Sequence, residues 1–457
     1  MKPLTWKNLS AAQRTAALLR PAQAAQPQVA AAVRSIVAAV RRGGDAALRR
    51  LTKKFDGAAP GNLRVSEAEF AAAEKMLSRA DQAALRTAYL NIHTFHAAQR
   101  TRDLRIETQP GIVCEKTTRP INRVGLYVPG GSAPLPSTAL MLGVPSQLTG
   151  AAGRVLCTPP DRSGGINPWI LCAARLCGIT DVYKVGGAQA IAAMAYGTAS
   201  IPKCDKLFGP GNAFVTEAKQ QVSRDAAGAA IDLPAGPSEV MVVADHRANP
   251  AFVAADLLSQ AEHGPDSQVV LVTFSKFFAR RVLGQLEKQL AGLPRAAVAR
   301  RALGRSRIFV AANRDEAVAI ANRYAPEHLI LQVARPRELL AGISTAGSVF
   351  LGDLTPESLG DYASGTNHVL PTYGWARACS GLGLADFQRT MTVQTASRAG
   401  LQKLGPVVER LALAEGLAAH QRAVRVRLDS LKPGRASRAR RAAPTYGSSG
   451  EFALPTP

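Results

Sequence analysis

The sequence predicts an α/β protein: two Rossmann-like parallel-sheet domains without a standard G-x-G-x-x-G loop, plus small helical N- and C-terminal segments. Three observations predict it. Strand-like and helical runs alternate from about residue 123 to residue 352, the pattern of parallel strands joined by helical crossovers. The strand-like runs form two series, before and after residue 238. The chain has 457 residues, 47% of them hydrophobic, enough for two or three domains with sizeable cores.

The elements follow in order. Residues 1–26 read as an N-terminal helical segment, and the region up to 110 is Ala- and Arg-rich with helical spacing, as in QVAAAVRSIVAAVRRGGDAALRRLTKKF (28–55), interrupted by Gly43 and Gly44. RVGLYVP (123–129), RVLCTP (154–159), DVYKVGG (181–187) and KLFGPG (206–211) read as strands ending in Gly/Pro loops. INPWILCAARLCG (166–178) and AQAIAAMAYGT (188–198) read as helices between them. A second series follows: VMVVAD (240–245), SQVVLVTF (267–274), SRIFVAA (306–312), LILQVA (329–334) and AGSVFLG (346–352). The expected division is a first α/β domain from 27–126 and 239–378, and a second from 127–238. A helical segment over 379–432 and a disordered basic tail over 433–457 complete it. The tail's Pro, Gly, Ser, Ala and Arg cannot build a core.

Composition narrows the function. The net charge of +23 raises nucleic-acid binding, but much of it sits after residue 420 and no interleaved aromatics accompany it, so no nucleic-acid partner is expected. No stretch has the length and apolarity of a membrane span. The start MKPLTWKNLSAAQR lacks a secretory apolar region. The six cysteines form no C-x-x-C pair. Reduced thiols and a cytoplasmic location are expected.

Three Gly-rich loops follow strands of the first series: VPGGSAP (128–134), VGGAQA (185–190) and FGPGN (208–212). Such loops let backbone approach a ligand, and the helix that follows favours an anion. Polar residues with metal-binding chemistry cluster later, in SQAEHGPD (259–266), NRYAPEHLI (322–330), GDYASGTNHVLPTYG (360–374) and AEGLAAH (414–420). Gln260 and His263, three apart in a helical pattern, share a face. With Asp361 and His420 they offer two imidazoles, a carboxylate and an amide oxygen, a set suited to Zn²⁺, Mn²⁺ or Co²⁺. It has no thiolate, which favours a catalytic over a closed structural site. In YAPEHL, Pro326 suits the first position of a helix, which would place Glu327 and His328 in its first turn. A near-neutral histidine is a natural base for an alcohol proton.

The sequence resembles the histidinol dehydrogenase family from about residue 5 to about residue 430. The resemblance rests on those segments and on VGLYVPGGSAPLPSTALMLGVP (124–145), KVGGAQAIAAMAYGT (184–198), KLFGPGNAFVTEAK (206–219) and DLPAGPSEVMVVAD (232–245). It implies oxidation of L-histidinol through L-histidinal to L-histidine with two NAD and water, the final step of histidine biosynthesis. It implies one zinc per subunit on Gln260, His263, Asp361 and His420, with Glu327 and His328 as the acid/base pair. NAD would contact Tyr127, Gln189 and Asn212. Substrate would contact Ser238, Gln260, His263, His328, Asp361, His368, Glu415 and His420. It further implies a homodimer with shared active sites, joined through 379–432. The alternative is a paralogous zinc/NAD dehydrogenase acting on a different small alcohol. In such a paralogue the substrate contacts should change, whereas Ser238, Glu327, His328, His368 and Glu415 keep the histidinol-type residues.

Overall fold

The computed structural model describes residues 1–20, 27–130, 134–233 and 236–432. The expected disordered tail at 433–457 lies outside the described residues. Two compact units divide the chain: Met1–Arg100 with Pro120–Arg389, and Thr101–Arg119 with the chain from Thr390 onward.

The first unit opens with β1 (Pro3–Thr5) and α1 (Ala11–Ala17). Ser10 and Gln13 cap α1 reciprocally, each side chain accepting from the other's backbone N–H, so two orphan donors of the first turn are satisfied. Then come α2 (Pro27–Asp56), α3 (Glu67–Met76) and α4 (Arg79–Ala97). The Gly43–Gly44 break appears as a kink, with Gly44 at φ 47°. β2 (Leu104–Gln109) and β3 (Ile112–Pro120) belong chiefly to the second unit.

Strands and helices then alternate: β4 (Arg123–Tyr127), α5 (Pro136–Leu148), β5 (Gly153–Thr158), α6 (Pro168–Leu176), β6 (Asp181–Lys184), α7 (Gly187–Tyr196), β7 (Lys206–Phe208), α8 (Ala213–Ser223) and β8 (Ala230–Ile231). These strands form a parallel five-stranded sheet in the order β6-β5-β4-β7-β8, with Val124 opposite Arg154 and Lys206. Leu126, Leu156, Val182 and Phe208 are fully buried, as expected where helices cover both faces of a parallel sheet.

The second series is β9 (Glu239–Ala244), α9 (Pro250–Ala261), β10 (Gln268–Thr273), α10 (Lys276–Leu290), α11 (Ala296–Gly304), β11 (Arg307–Val310), α12 (Arg314–Tyr324), β12 (His328–Gln332), α13 (Pro336–Leu340), β13 (Ser348–Leu351) and α14 (Glu357–Tyr362). Its sheet runs β1-β11-β10-β9-β12-β13, all parallel, with β1 added at the edge.

One expectation about organisation is corrected. Residues 27–126 were expected with 239–378. Instead α2 packs on α7 and α8, α3 on α6, and α4 on α5 and α6. The apolar stripe of α2, including Val33, Val37, Val40, Leu48 and Leu51, shares a core with Ile191, Met194 and Val215 of the five-stranded sheet's helices.

The second unit holds β2 and β3, which pair antiparallel, then β14 (Gln388–Ala396), α15 (Arg398–Ala414) and α16 (Ala418–Ser430). The strand order is β14-β3-β2. The C-terminal segment is therefore not purely helical. α15 packs on α16, and the buried Glu409 forms an ion pair with Arg425, Oε1 to Nε 2.6 Å. Val407, Leu411, Leu413, Leu417 and Val426 remain exposed on these helices.

Candidate active site

The catalytic pair expected in YAPEH is delivered by a turn into a strand, and this corrects the helical expectation. α12 ends at Ala325, which takes the left-handed conformation (φ 53°) and donates its N–H to Ala321. A non-glycine residue there is strained and persists only where its surroundings hold it. The next turn supplies that hold: Gly347 donates to the Pro326 carbonyl at 3.0 Å and Ser348 to the Glu327 carbonyl at 2.9 Å. A Cβ on Gly347 would sit 2.6 Å from that Glu327 oxygen, so only glycine permits the approach. His328 then opens β12, between β9 and β13.

Glu327 and His328 are both buried. Glu327 Oε2 accepts the Glu239 N–H at 2.9 Å and lies 3.5 Å from His328 Nδ1. Burial pushes the Glu327 carboxyl up, opposed by the neighbouring imidazole. His328 Nδ1 lies 3.2 Å from the Glu239 carbonyl. A carbonyl can only accept, so Nδ1 carries a proton, and Nε2 is the nitrogen that gains or loses the second one. Nε2 is buried without a hydrogen-bond partner, 3.4 Å from Asp361 Oδ1. Burial lowers the His328 pKa, but Glu357, Glu327 and Asp361 outweigh it and hold the ring well above its ordinary value. Asp361 moves the other way: burial raises it, and His328 pulls it below the usual carboxylate range.

Gln260, fully buried at the end of α9, adjoins this group. With its amide nitrogen facing inward it donates to Glu357 Oε1 at 2.6 Å and to Oε2 at 3.1 Å. That orientation leaves the Gln260 carbonyl oxygen for another partner. His263 follows just beyond the helix, and its Nδ1 meets the Ser259 carbonyl at 3.1 Å, so its Nε2 is the nitrogen left for a ligand. Desolvation pushes the His263 pKa down, against the pull of Asp361. His368 is anchored through both ring nitrogens, to the Asp361 carbonyl at 2.8 Å and Thr138 Oγ1 at 3.0 Å. Ser238 immediately precedes β9.

Sequence reasoning missed Glu357. Ligand atoms of His328, Glu357 and Asp361 all lie within 4.8 Å of one another, a spacing that could hold a metal ion. Burial drives the Glu357 carboxyl well up, opposed by His328. The available signal was ESLGD, which sets Glu357 and Asp361 four apart on one helix face. Glu415, which caps α15, and His420 of α16 lie exposed in the second unit.

A cavity of about 750 Å³ adjoins the cluster. Tyr127, Gln189 and Asn212 line it from the carboxyl ends of the five-stranded sheet. Glu262, His263, Arg295 and Tyr362 line it from the amino end of the six-stranded sheet. Tyr127 Oη accepts the Gly187 N–H at 3.0 Å, and burial raises its pKa. Asn212 caps α8, accepting from the Phe214 and Val215 N–H groups at 3.0 and 3.1 Å. Gln189 Nε2 is buried without a partner. Gly209, at φ 118°, brings the loop so close that a Cβ would lie 2.2 Å from the Tyr127 carbonyl oxygen.

Fold and cavity together define a two-sheet α/β enzyme in which a nucleotide-type loop wall faces a cluster of imidazoles, carboxylates and an amide. The histidinol dehydrogenase family model matches residues 19–428. The histidinol dehydrogenase of Photobacterium profundum is 58% identical over 432 residues, covering 94% of this chain and 97% of that one. That of Xanthomonas axonopodis pv. citri is 59% identical over 428 residues, covering 94% and 99%. The crystal structure of histidinol dehydrogenase from Elizabethkingia anophelis superposes with a TM-score of 0.89 at 49% identity, covering 93% of this chain and 97% of that one. The chain belongs to the histidinol dehydrogenase family.

Proposed function

We propose that this protein is an NAD-dependent histidinol dehydrogenase, oxidising L-histidinol through L-histidinal to L-histidine. The observation that carries it is the shared cavity. The residues expected to hold NAD and the expected metal ligand His263 line one space, beside a buried histidine whose Nε2 has no hydrogen-bond partner.

The residues fit both cofactors. For the metal, Gln260 Oε1, His263 Nε2 and Asp361 are a nitrogen/oxygen donor set for Zn²⁺, and Glu357 fixes the Gln260 amide as an outer-shell partner does. His420 is the proposed fourth ligand, supplied by a second copy of the chain, and Glu415 of that copy receives the substrate amine. Bound there, zinc would offset the carboxylate charge that holds His328 protonated and would supply Lewis-acid orientation of the substrate. Tyr127, Gln189 and Asn212 would hold NAD, which would supply the hydride acceptor for both oxidations; the unpartnered Gln189 Nε2 is a donor available to it.

The chain's own groups move the protons. His328 Nε2 takes the hydroxyl proton of histidinol. Glu327, buried and drawn up in pKa, accepts a proton from the water that hydrates the aldehyde, and His328 assists in the second oxidation. Ser238 and His368 complete the substrate contacts. The exposed apolar face of α15 and α16 supports the homodimer. The six free cysteines support the cytoplasmic location. No helix among the described residues is long and apolar enough to cross a membrane.

The test is product identification. L-Histidinol with NAD should yield L-histidine by mass spectrometry, while other small amino alcohols should turn over at least a hundredfold more slowly. Preference for another alcohol would move the assignment to the paralogous reading.

A further inference from the structure

The N-terminal segment sends one charged side chain into the six-stranded sheet's interior, and the proposed chemistry does not use it. β1 pairs with β11, and Trp6 and Leu18 share a core with Val243, Val272 and Phe309 of that sheet. The chain then buries Arg20. Its Nε donates to Glu239 Oε2 at 2.5 Å and its Nη2 to Oε1 at 2.9 Å. Nη2 also donates to the carbonyls of Tyr324 at 2.7 Å and Ala325 at 3.3 Å. The Tyr324 ring lies against the guanidinium, its centroid 3.9 Å from Cζ. Tyr324 Oη lies 3.1 Å from Glu239 Oε2 and 2.8 Å from Gln268 Oε1.

Stability alone does not call for this arrangement. A buried ion pair gives up the hydration of two charges, and apolar side chains of similar volume often hold a core as well. What the guanidinium does is join two backbone segments. One is Glu239, whose N–H donates to Glu327 Oε2 and whose carbonyl faces His328 Nδ1. The other is the end of α12, Tyr324 and Ala325, which leads directly into Glu327 and His328. Both segments meet at the catalytic pair. Backbone strain marks the same place. Among the described residues, the non-glycine residues with left-handed backbone are Ala325 and Tyr373. Ala325 gives its carbonyl to Arg20. Tyr373 precedes Gly374, where a Cβ would lie 3.2 Å from Arg20 Nη1. Such strain persists only where the surroundings over-determine it, and Arg20 adjoins both turns.

We propose that Arg20 is a positioning residue for the catalytic pair: its planar fork locks the Glu239 side chain to the end of α12, and so holds Glu327 and His328 against the Glu239 peptide groups. This rests on the dehydrogenase reading above. The fork's shape matters. A guanidinium presents its donors in a rigid plane, whereas a lysine ammonium is a point charge that cannot serve both carboxylate oxygens and two carbonyls together. Glu327 and His328 lean on the same Glu239 peptide groups, so loosening the fork slows both oxidations. Glu327→Gln, by contrast, slows chiefly the second.

Two full-length variants test this. Arg20→Lys keeps the buried charge paired. Arg20→Met/Glu239→Gln removes both charges, so neither is left buried alone, and its melting temperature should stay near that of wild type. NADH formation is followed from histidinol and from histidinal, with kcat expressed per folded molecule. It should fall about tenfold in Arg20→Lys and about a hundredfold in the double variant, the scale on which a misplacement of about 1 Å slows catalysis. The loss should be equal on the two substrates. KM for histidinol and for NAD should hold within about threefold, because the proposed metal ligands and the NAD loops lie on other elements than the fork. A merely structural role would lower the melting temperature and the folded fraction while leaving kcat per folded molecule unchanged. Wild-type kcat per folded molecule in either variant would therefore overturn the assignment. So would a loss confined to one substrate, or one that appears only in KM. Wild type that forms NADH from histidinol beside variants of that kind refutes the role of Arg20 alone; wild type that forms no NADH refutes the dehydrogenase reading with it.

Discussion

Replacing Glu327 by Gln separates the two half-reactions. The substitution keeps shape and one acceptor oxygen, so the Glu239 N–H that now reaches Glu327 Oε2 at 2.9 Å can still be satisfied. The stability cost should stay within about 1–3 kcal/mol, the range for the buried amide NH2 donor that the substitution introduces. The 3.5 Å contact with His328 Nδ1 loses its charge, but the proton-accepting nitrogen is Nε2, on the opposite side of the ring and beside Asp361. Histidinol oxidation should therefore fall less than about tenfold. Histidinal oxidation needs a base for water, and losing one costs about 10²–10⁴ in rate, or about 3–5 kcal/mol of barrier at 1.36 kcal/mol per decade. The assay is stopped-flow NADH formation from each substrate under saturating NAD, with melting temperature as the folding control. Equal losses on both substrates would refute the division of labour. A melting temperature lowered by many degrees would make the loss structural.

Three further outcomes follow from other parts of the site. Glu357→Ala should weaken zinc binding about 10–100-fold in competition with a chromophoric chelator, with Glu357→Gln intermediate, because an outer-shell partner orients rather than ligates; a loss beyond about a thousandfold would make Glu357 a ligand. His420→Ala and His263→Ala chains should each be inactive, and proven heterodimers of the two should regain up to about half of a wild-type dimer's activity, since one of the two shared sites is then intact; no recovery would place His420 in its own chain's site. Asp256 is buried, and burial lifts its carboxyl to about 7 despite the Gln332 amide. Between about 4, where the unfolded residue titrates, and 7, the folded state holds a proton that the unfolded state lacks, so stability falls as pH rises through that window. Asp256→Asn should thus be more stable than wild type by roughly 2–4 kcal/mol at pH 8.5, with the gap closing near pH 4; a pH-independent difference in denaturant titrations would count against the buried charge.

Much of the architecture was legible because a buried parallel strand leaves a short apolar run between Gly/Pro loops, as in VMVVAD and LILQVA. The assignment of 27–97 to one sheet or the other was not, because an amphipathic stripe records that a helix packs but not on what. β14 was missed because its residues are almost all exposed, so QRTMTVQTA carries no apolar face. In YAPEHL the Pro326 cue suggested a helix start while LILQVA implied a strand three residues on. The strand prevails, because Ala325 adopts φ 53° and ends the preceding helix. The candidate site was readable largely through long ordered motifs. Glu357 fell outside that reading: a carboxylate whose role depends on three-dimensional neighbours leaves little local trace.

The most direct test of the central claim is NADH stoichiometry with limiting L-histidinol, with and without a zinc chelator. The account predicts two NADH per histidinol, loss of turnover on chelation and recovery on adding Zn²⁺. One NADH per histidinol with histidinal released, or full turnover in chelator with no metal left on the protein, would contradict it.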